Sequence, residues 1–272
     1  MLQTIQVDGR AFSFSGEEND KFFQKLPEFA AGNERLGAFV KNHLRKDAVC
    51  LDIGANIGLT SLLFAHYCSV GATYAFEPSP VNAKNLRANL ERAGLSNAVV
   101  VEAAAGAAPA FVNFTLPKCG AHATVRRSDR RTNPYIQVPV VVIDDWLAER
   151  GVGPVDFIKI DVEGFEPEVL AGAARTIVAQ RPTLFMEFNS ITTMFEARLN
   201  PVIFAEAIWS LFDVSLLDAE GSPQPAPTAR EFVFRNITER GCVDDLVLRV
   251  KDGVTREQII ATMPATPPTQ QA

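Results

Sequence analysis

Val49-Cys50-Leu51-Asp52-Ile53-Gly54-Ala55-Asn56-Ile57-Gly58 reads as a short apolar strand that runs into a glycine turn and then a helix. Gly54 permits a tight turn and close approach of a ligand to the backbone, and Gly58 lets the next helix pack close to the strand. A dinucleotide fold seats its pyrophosphate on G-x-G-x-x-G, but here Asn56 stands at the middle glycine. The D-x-G-x-N-x-G stretch therefore points to a nucleotide ligand without a pyrophosphate.

Outward from this stretch, short apolar runs alternate with segments of helical period, the signature of a parallel sheet covered by helices on both faces. Strands are predicted near 48–53, 73–76, 98–103, 156–160 and 183–187, with an extra pair near 111–116 and 137–143 and later strands at 214–217 and 246–250. One helical face carries Leu59, Leu62, Leu63, Tyr67 and Val70, another Leu86, Leu90 and Ala93, and a third Val169, Leu170, Ala173 and Ile177. Ser79-Pro80 and Asn200-Pro201 each set a capping side chain before a proline at the first helical position. This predicts an α/β domain over 48–251. Residues 1–47 read as an N-terminal extension, with a hairpin around Asp8-Gly9 followed by helices near 20–29 and 33–45. Residues 252–272 read as a partly disordered tail rich in proline and threonine toward its end.

The second strand ends in Glu77, 19 residues beyond Gly58, where an acid meets the two hydroxyls of a ribose. The third ends at Glu102, a candidate for the adenine edge or an amino group. Asp52 and Glu77 together suit a ligand that has both a cationic centre and a ribose.

Asp156 to Glu166 forms a second informative stretch, a buried strand that ends in carboxylates and leads through Gly164 into a helix. Ligands of open α/β sheets bind beyond the carboxyl ends of the strands, which places Asp161 and Glu163 at the site. Period-two spacing points both to one side if the strand persists that far, with Lys159 on the same alternation. Asp161 is the first candidate for a catalytic base, Glu163 the second, and Lys159 the residue that pairs with them or orients an acceptor. Glu187 and Asn189 reach the same rim from the next strand. Asp161, Glu163 and Glu187 also offer hard oxygen ligands to a divalent cation, a second possibility beside base chemistry without a metal.

His66 lies on an apolar helical face and His43 beside Lys41 and Arg45, so neither points to chemistry. His122 falls in the irregular stretch 118–135, placed where a covering loop is expected, together with Lys118, Arg126, Arg127, Arg130 and Arg131. Those basic residues suit a phosphate or carboxylate on the substrate, or a solvated loop.

The chain has 272 residues, a formal charge of −6 and 47% hydrophobic residues, which excludes a mainly disordered protein and gives no global attraction for nucleic acid. No window nears the roughly 20 apolar residues that span a bilayer, and the polar Met1–Arg10 start predicts a cytoplasmic protein without a membrane partner. Its four cysteines are scattered without zinc spacing.

Over 48–189, and more loosely to Val250, the chain resembles the FkbM family of methyltransferases. The resemblance is carried by Leu51-Asp52-Ile53-Gly54-Ala55-Asn56-Ile57-Gly58, by Phe76-Glu77-Pro78, and by Ile158-Lys159-Ile160-Asp161-Val162-Glu163-Gly164 with Glu166, Val169 and Leu170. The first signal is common to many methyltransferases, and the last is much more particular to this family. The resemblance implies the class I methyltransferase fold, a Rossmann-like sheet of seven strands whose last strand is antiparallel. It implies S-adenosyl-L-methionine as cofactor, with contacts from Asp52, Gly54, Asn56 and Glu77, and an active-site place for Asp161; Ala55, Gly58 and Pro78, within the same motifs, are further cofactor-binding candidates. It implies O-methylation of a small sugar-like or polyketide-type acceptor. A nicotinamide oxidoreductase, opposed by Asn56, and a non-catalytic nucleotide-binding module are the competing readings.

Overall fold

A computed structural model describes residues 1–7, 9–115 and 135–263. At its start, β1 (Leu2–Val7) pairs antiparallel with β2 (Arg10–Ser15), the hairpin predicted around Asp8-Gly9. The helix predicted near 20–29 is divided into α1 (Lys21–Gln24) and α2 (Leu26–Gly32). Pro27 explains the division, because its ring would collide with the Phe23 carbonyl in a continuous helix. Then follows α3 (Glu34–His43). The aromatic residues Phe12, Phe14 and Phe23 pack with Ile57, Leu62 and Leu86, so the N-terminal segment shares a core with the nucleotide turn.

The alternating region continues with β3 (Val49–Ile53), α4 (Leu59–Tyr67), β4 (Ala72–Phe76), α5 (Pro80–Ala93), β5 (Ala98–Val101), β6 (Ala104–Ala105), β7 (Ala110–Thr115) and β8 (Tyr135–Val141). After these come α6 (Ile143–Arg150), β9 (Phe157–Ile160), α7 (Glu166–Gly172), α8 (Ala174–Gln180), β10 (Thr183–Asn189), α9 (Ser190–Phe195) and α10 (Pro201–Leu211). The chain closes through β11 (Phe212–Leu217), β12 (Pro223–Pro225), α11 (Ala229–Glu239), β13 (Val243–Val250) and α12 (Arg256–Thr262).

Eight strands form the main sheet in the order β12-β11-β13-β10-β9-β3-β4-β5. Strands β3, β4, β5, β9 and β10 are parallel to one another, and β13 runs antiparallel between β10 and β11. Seven strands with an antiparallel last member match the expected fold, and the short β12 adds an eighth at the edge. The predicted extra pair forms a separate sheet of order β6-β8-β7. Both proline-marked helices start where expected: Ser79 accepts from the Asn82 amide at 3.3 Å and Asn200 from the Val202 amide at 2.9 Å.

Some local expectations change. Val70 lies beyond the end of α4 and is exposed, because the helix closes at Tyr67. The helix expected through Val169 and Ile177 is two helices that meet at Ala173, although its four apolar residues are all buried. Within the tail, α12 starts with a capping box in which Thr255 and Gln258 satisfy each other's backbone amides, and it buries Ile259. The chain to Met263 therefore packs on the core. No helix of the described residues is long and apolar enough to cross a membrane.

Candidate functional site

Beyond the carboxyl ends of β3, β4, β9 and β10 lies a cavity of about 360 Å³, in the size range of small-molecule sites. Gly54, Ala55, Asn56, Glu77 and Pro78 line it together with Lys159, Asp161, Glu163 and Glu187. Two sequence motifs some hundred residues apart thus meet, because β3 and β9 are neighbours in the sheet with Asp52 opposite Lys159.

The glycine turn is constrained on both sides. Gly54 has φ 84, and a Cβ built on it would stand 1.8 Å from the Asp161 carbonyl oxygen. Asn56, at φ 50, takes the left-handed conformation open to asparagine. Its amide donates to Glu77 Oε2 at 2.9 Å, and its side-chain Oδ1 is buried with no hydrogen-bond partner among the described residues. Glu77 Oε1 accepts from the Ser79 amide at 2.8 Å and from Asn82 Nδ2 at 3.5 Å. Burial pushes the Glu77 carboxyl up to about 7, against the lowering effect of these donors and of Lys159.

Three residues expected to contact a cofactor do not line this cavity. Asp52 is fully buried and accepts from Thr60 Oγ1 at 2.8 Å and Ser61 Oγ at 2.5 Å, so it pins the first turn of α4 to the end of β3. Gly58 starts α4 at φ 96, and a Cβ there would meet Leu86 Cδ1 at 2.2 Å, which makes it a helix-packing residue. Glu102 is exposed and pairs with Arg87 at 3.0 Å, away from the cavity, while Ala103, Ala104 and Ala105 take the wall. Sequence spacing sets distance from a motif but not the side to which a side chain turns.

Lys159 is buried between carboxylates, 3.1 Å from Asp161 Oδ2, 3.7 Å from Asp52 Oδ1 and 3.4 Å from the Gly54 carbonyl. Burial alone would lower its pKa, but Asp161 and Asp52 outweigh burial and raise it above the usual ammonium value. Strand β9 ends at Ile160, so strand alternation does not reach Glu163. Glu163 instead turns back through a left-handed backbone at φ 54. Carboxylate oxygens of Asp161, Glu163 and Glu187 lie within 4.8 Å of one another. Enclosure and then the Asp161, Glu163 and Asp245 charges raise the Glu187 carboxyl well above the ordinary range.

Asp245 escaped the sequence reading. It faces Glu187 across the β10–β13 pair and lines the cavity. Its side chain is solvent-exposed, and the partial desolvation imposed by neighbouring groups, then the Asp161 charge, raises its carboxyl above the usual value. The Asp244-Asp245 pair was the available signal, passed over because the last strand was expected to start at Leu246. His122, Lys118, Arg126, Arg127, Arg130 and Arg131 lie outside the described residues.

The model of the methyltransferase FkbM domain matches residues 52–214, which is more than half of the chain. The chain belongs to the FkbM methyltransferase family. The FkbM match runs from the end of β3 into β11 and so contains both motifs of the cavity. The chain is 34% identical over 158 residues to the 31-O-demethyl-FK506 methyltransferase FkbM of Streptomyces tacrolimicus, covering 47% of this chain and 60% of that protein. It is 27% identical over 198 residues to the 2-O-methyltransferase NoeI of Sinorhizobium fredii, covering 65% of this chain and 80% of that one. The match therefore spans less than two thirds of the first relative's length. A crystal structure of a methyltransferase FkbM from Methylobacillus flagellatus is 17% identical with a TM-score of 0.45, covering 88% of this chain and 56% of that one.

Within this FkbM domain, Lys159→Met is expected to cost about 3 kcal/mol of stability, because it leaves the fully buried Asp52 beside no cation. Urea denaturation measures this, and an unchanged midpoint would show that Asp52 does not depend on Lys159.

Proposed function

We propose that the chain is an S-adenosylmethionine-dependent O-methyltransferase that acts on a hydroxyl of a small sugar-like or polyketide-type molecule. The observation that carries this reading is the placement of the Asp161 carboxylate on the same cavity as Asn56 and Glu77. Asn56 Oδ1, buried and unpaired, and Glu77 fit the amine and hydroxyl donors of an adenosine-containing ligand. S-adenosylmethionine supplies, when bound, an electrophilic methyl group on a sulfonium. Asp161 then receives the proton of the acceptor hydroxyl, and Lys159 at 3.1 Å fixes the direction of that carboxylate. A positioned base of this kind contributes about 10² to 10⁴ in rate. The O-methyl assignment also has support from the two relatives, which are named as a 31-O-demethyl-FK506 methyltransferase and a 2-O-methyltransferase.

Lys159 is the single cation among the described residues that line the cavity, against Asp161, Glu163, Glu187 and Asp245 at the reactive end. This favours a neutral polyol hydroxyl over an anion there. An anionic group elsewhere on the acceptor would fall to Lys118, Arg126, Arg127, Arg130 and Arg131. Calorimetry with S-adenosylhomocysteine and NAD, followed by a mass-spectrometric screen of glycosides, polyketides, catechols and amines for the gain of one methyl group, tests the reading. Binding of NAD alone, or methylation of nitrogen alone, would overturn it.

The Glu77 carboxyl gives a pH dependence with a defined sign. Ribose hydroxyls donate to the ionised form, whereas below about 7 the free protein favours the protonated form. Affinity for S-adenosylhomocysteine is therefore expected to rise as pH increases toward about 7 and to level off above it. Glu77→Gln should weaken binding and flatten the profile. A flat wild-type profile between pH 5.5 and about 8.5 would remove the ribose role from Glu77.

The convergence of Asp161, Glu163 and Glu187 within 4.8 Å favours one second reading, in which a divalent cation orients the acceptor. The base reading expects turnover to survive EDTA. Loss in EDTA with recovery in magnesium would transfer the three carboxylates to coordination.

A further inference from the structure

The turn between β9 and α7 is built around one buried carboxylate. Glu166, the first residue of α7, is 4% exposed, and its Oε1 accepts hydrogen bonds from the amides of Val162 and Gly164, each at 3.2 Å. Those amides flank Glu163, whose backbone is left-handed at φ 54, and Gly164 follows at φ 97. A non-glycine residue in that region carries strain and persists only where its surroundings hold it. A side chain at Gly164 would be tight as well as strained, since a Cβ there would stand 3.0 Å from the Thr192 carbonyl and 3.0 Å from Glu196 Cβ.

We infer that Glu166 is a positioning residue: by bridging the amides on either side of Glu163, it turns that residue back toward Asp161 and keeps both carboxylates on the cavity. The inference rests on the reading of Asp161 as the group beside the transferred methyl. A solvated glutamate at a helix start would exchange its partners for water at little cost. Glu166 has no such replacement, because it is enclosed by protein. Burial raises its carboxyl to about 7 despite the amide donors. Either protonation state keeps an oxygen able to accept from both amides, so the bridge itself does not depend on charge. Glutamine can therefore take its place, and alanine cannot.

Sinefungin, an S-adenosylmethionine analogue with an amine-bearing carbon in place of the methylsulfonium, probes the carboxylates without any acceptor. Wild type, Asp161→Asn, Glu166→Gln and Glu166→Ala are each titrated calorimetrically with sinefungin and with S-adenosylhomocysteine, and their melting temperatures recorded. Wild type should prefer sinefungin by about tenfold or more, the range of one charge-assisted hydrogen bond. Glu166→Ala should lose that preference as Asp161→Asn does, while Glu166→Gln keeps it, with affinity for S-adenosylhomocysteine within about threefold throughout. Where Glu166→Ala is not folded, Glu166→Asp replaces it, since it keeps the charge but shortens the reach by one methylene, and the same loss is expected. The inference is overturned if the alanine or aspartate variant keeps the wild-type preference. It is also overturned if that variant loses both ligands in step, which is the mark of a purely structural role, or if glutamine fails to rescue. A wild type that binds both ligands equally sinks the positioning role but spares the cofactor reading. A wild type that binds neither sinks both.

Discussion

Asp161→Asn is expected to lower turnover by about two powers of ten or more while affinity for S-adenosylhomocysteine stays within a few fold. Asparagine keeps the size of the side chain and can still accept from Lys159 at its present 3.1 Å, so the fold has little reason to change. What is lost is the ability to take a proton at the point where the cavity joins the two motifs. Single-turnover kinetics with an acceptor found by the screen separates chemistry from product release. A variant that turns over like wild type would take Asp161 out of the reaction and move attention to Glu163 or Glu187.

Gly54→Val is expected to abolish cofactor binding because the protein no longer folds correctly around the turn. The sequence reading assigned Gly54 to ligand approach, but the tighter constraint is the backbone just beyond the end of β9. A Cβ would lie 1.8 Å from the Asp161 carbonyl oxygen, and the residue would also hold a branched side chain at φ 84. Strain and overpacking together amount to roughly 2 to 6 kcal/mol, a large part of the stability of an ordinary domain. Gly94→Ala is the control, since Gly94 also has a positive φ, 68, yet a Cβ there meets nothing within 4 Å. Circular dichroism melts should show a small loss for Gly94→Ala and a loss several times larger, or no soluble protein, for Gly54→Val. Equal melting temperatures for the two would mean that β3 and β9 can separate around residue 54 without cost.

The parallel half of the sheet was legible because its central strands β3 and β9 are buried almost throughout and so appear as apolar runs separated by amphipathic helices. Capping residues before proline marked two helix starts, because those interactions are local in sequence. The breaks at Lys25 and Ala173 were less visible, since an apolar face continues across each of them. The candidate site was legible to the extent that motif order sets strand ends beside one another. Spacing did not reveal that Asp52, Gly58 and Glu102 stand off the cavity lining, where they serve the α4 turn, the α5 interface and an exposed pair with Arg87. Asp245 depended on the partner strand of β13, a pairing that no local pattern encodes. Glu163 sits in a left-handed turn whose two flanking amides both donate to Glu166 Oε1, three atoms whose meeting spacing alone does not reveal.

The position of β13 between β10 and β11 also sets an order of assembly. As the chain emerges, β10 and β11 are complete long before the strand that belongs between them, and until Val243–Val250 arrives each shows an unpaired edge. Such edges recruit other strands, so the nascent protein passes through a stage prone to association with its neighbours. The wall that carries Asp245 is delivered last, and an incompletely synthesised chain would hold the glycine turn and Asp161 without a finished cavity.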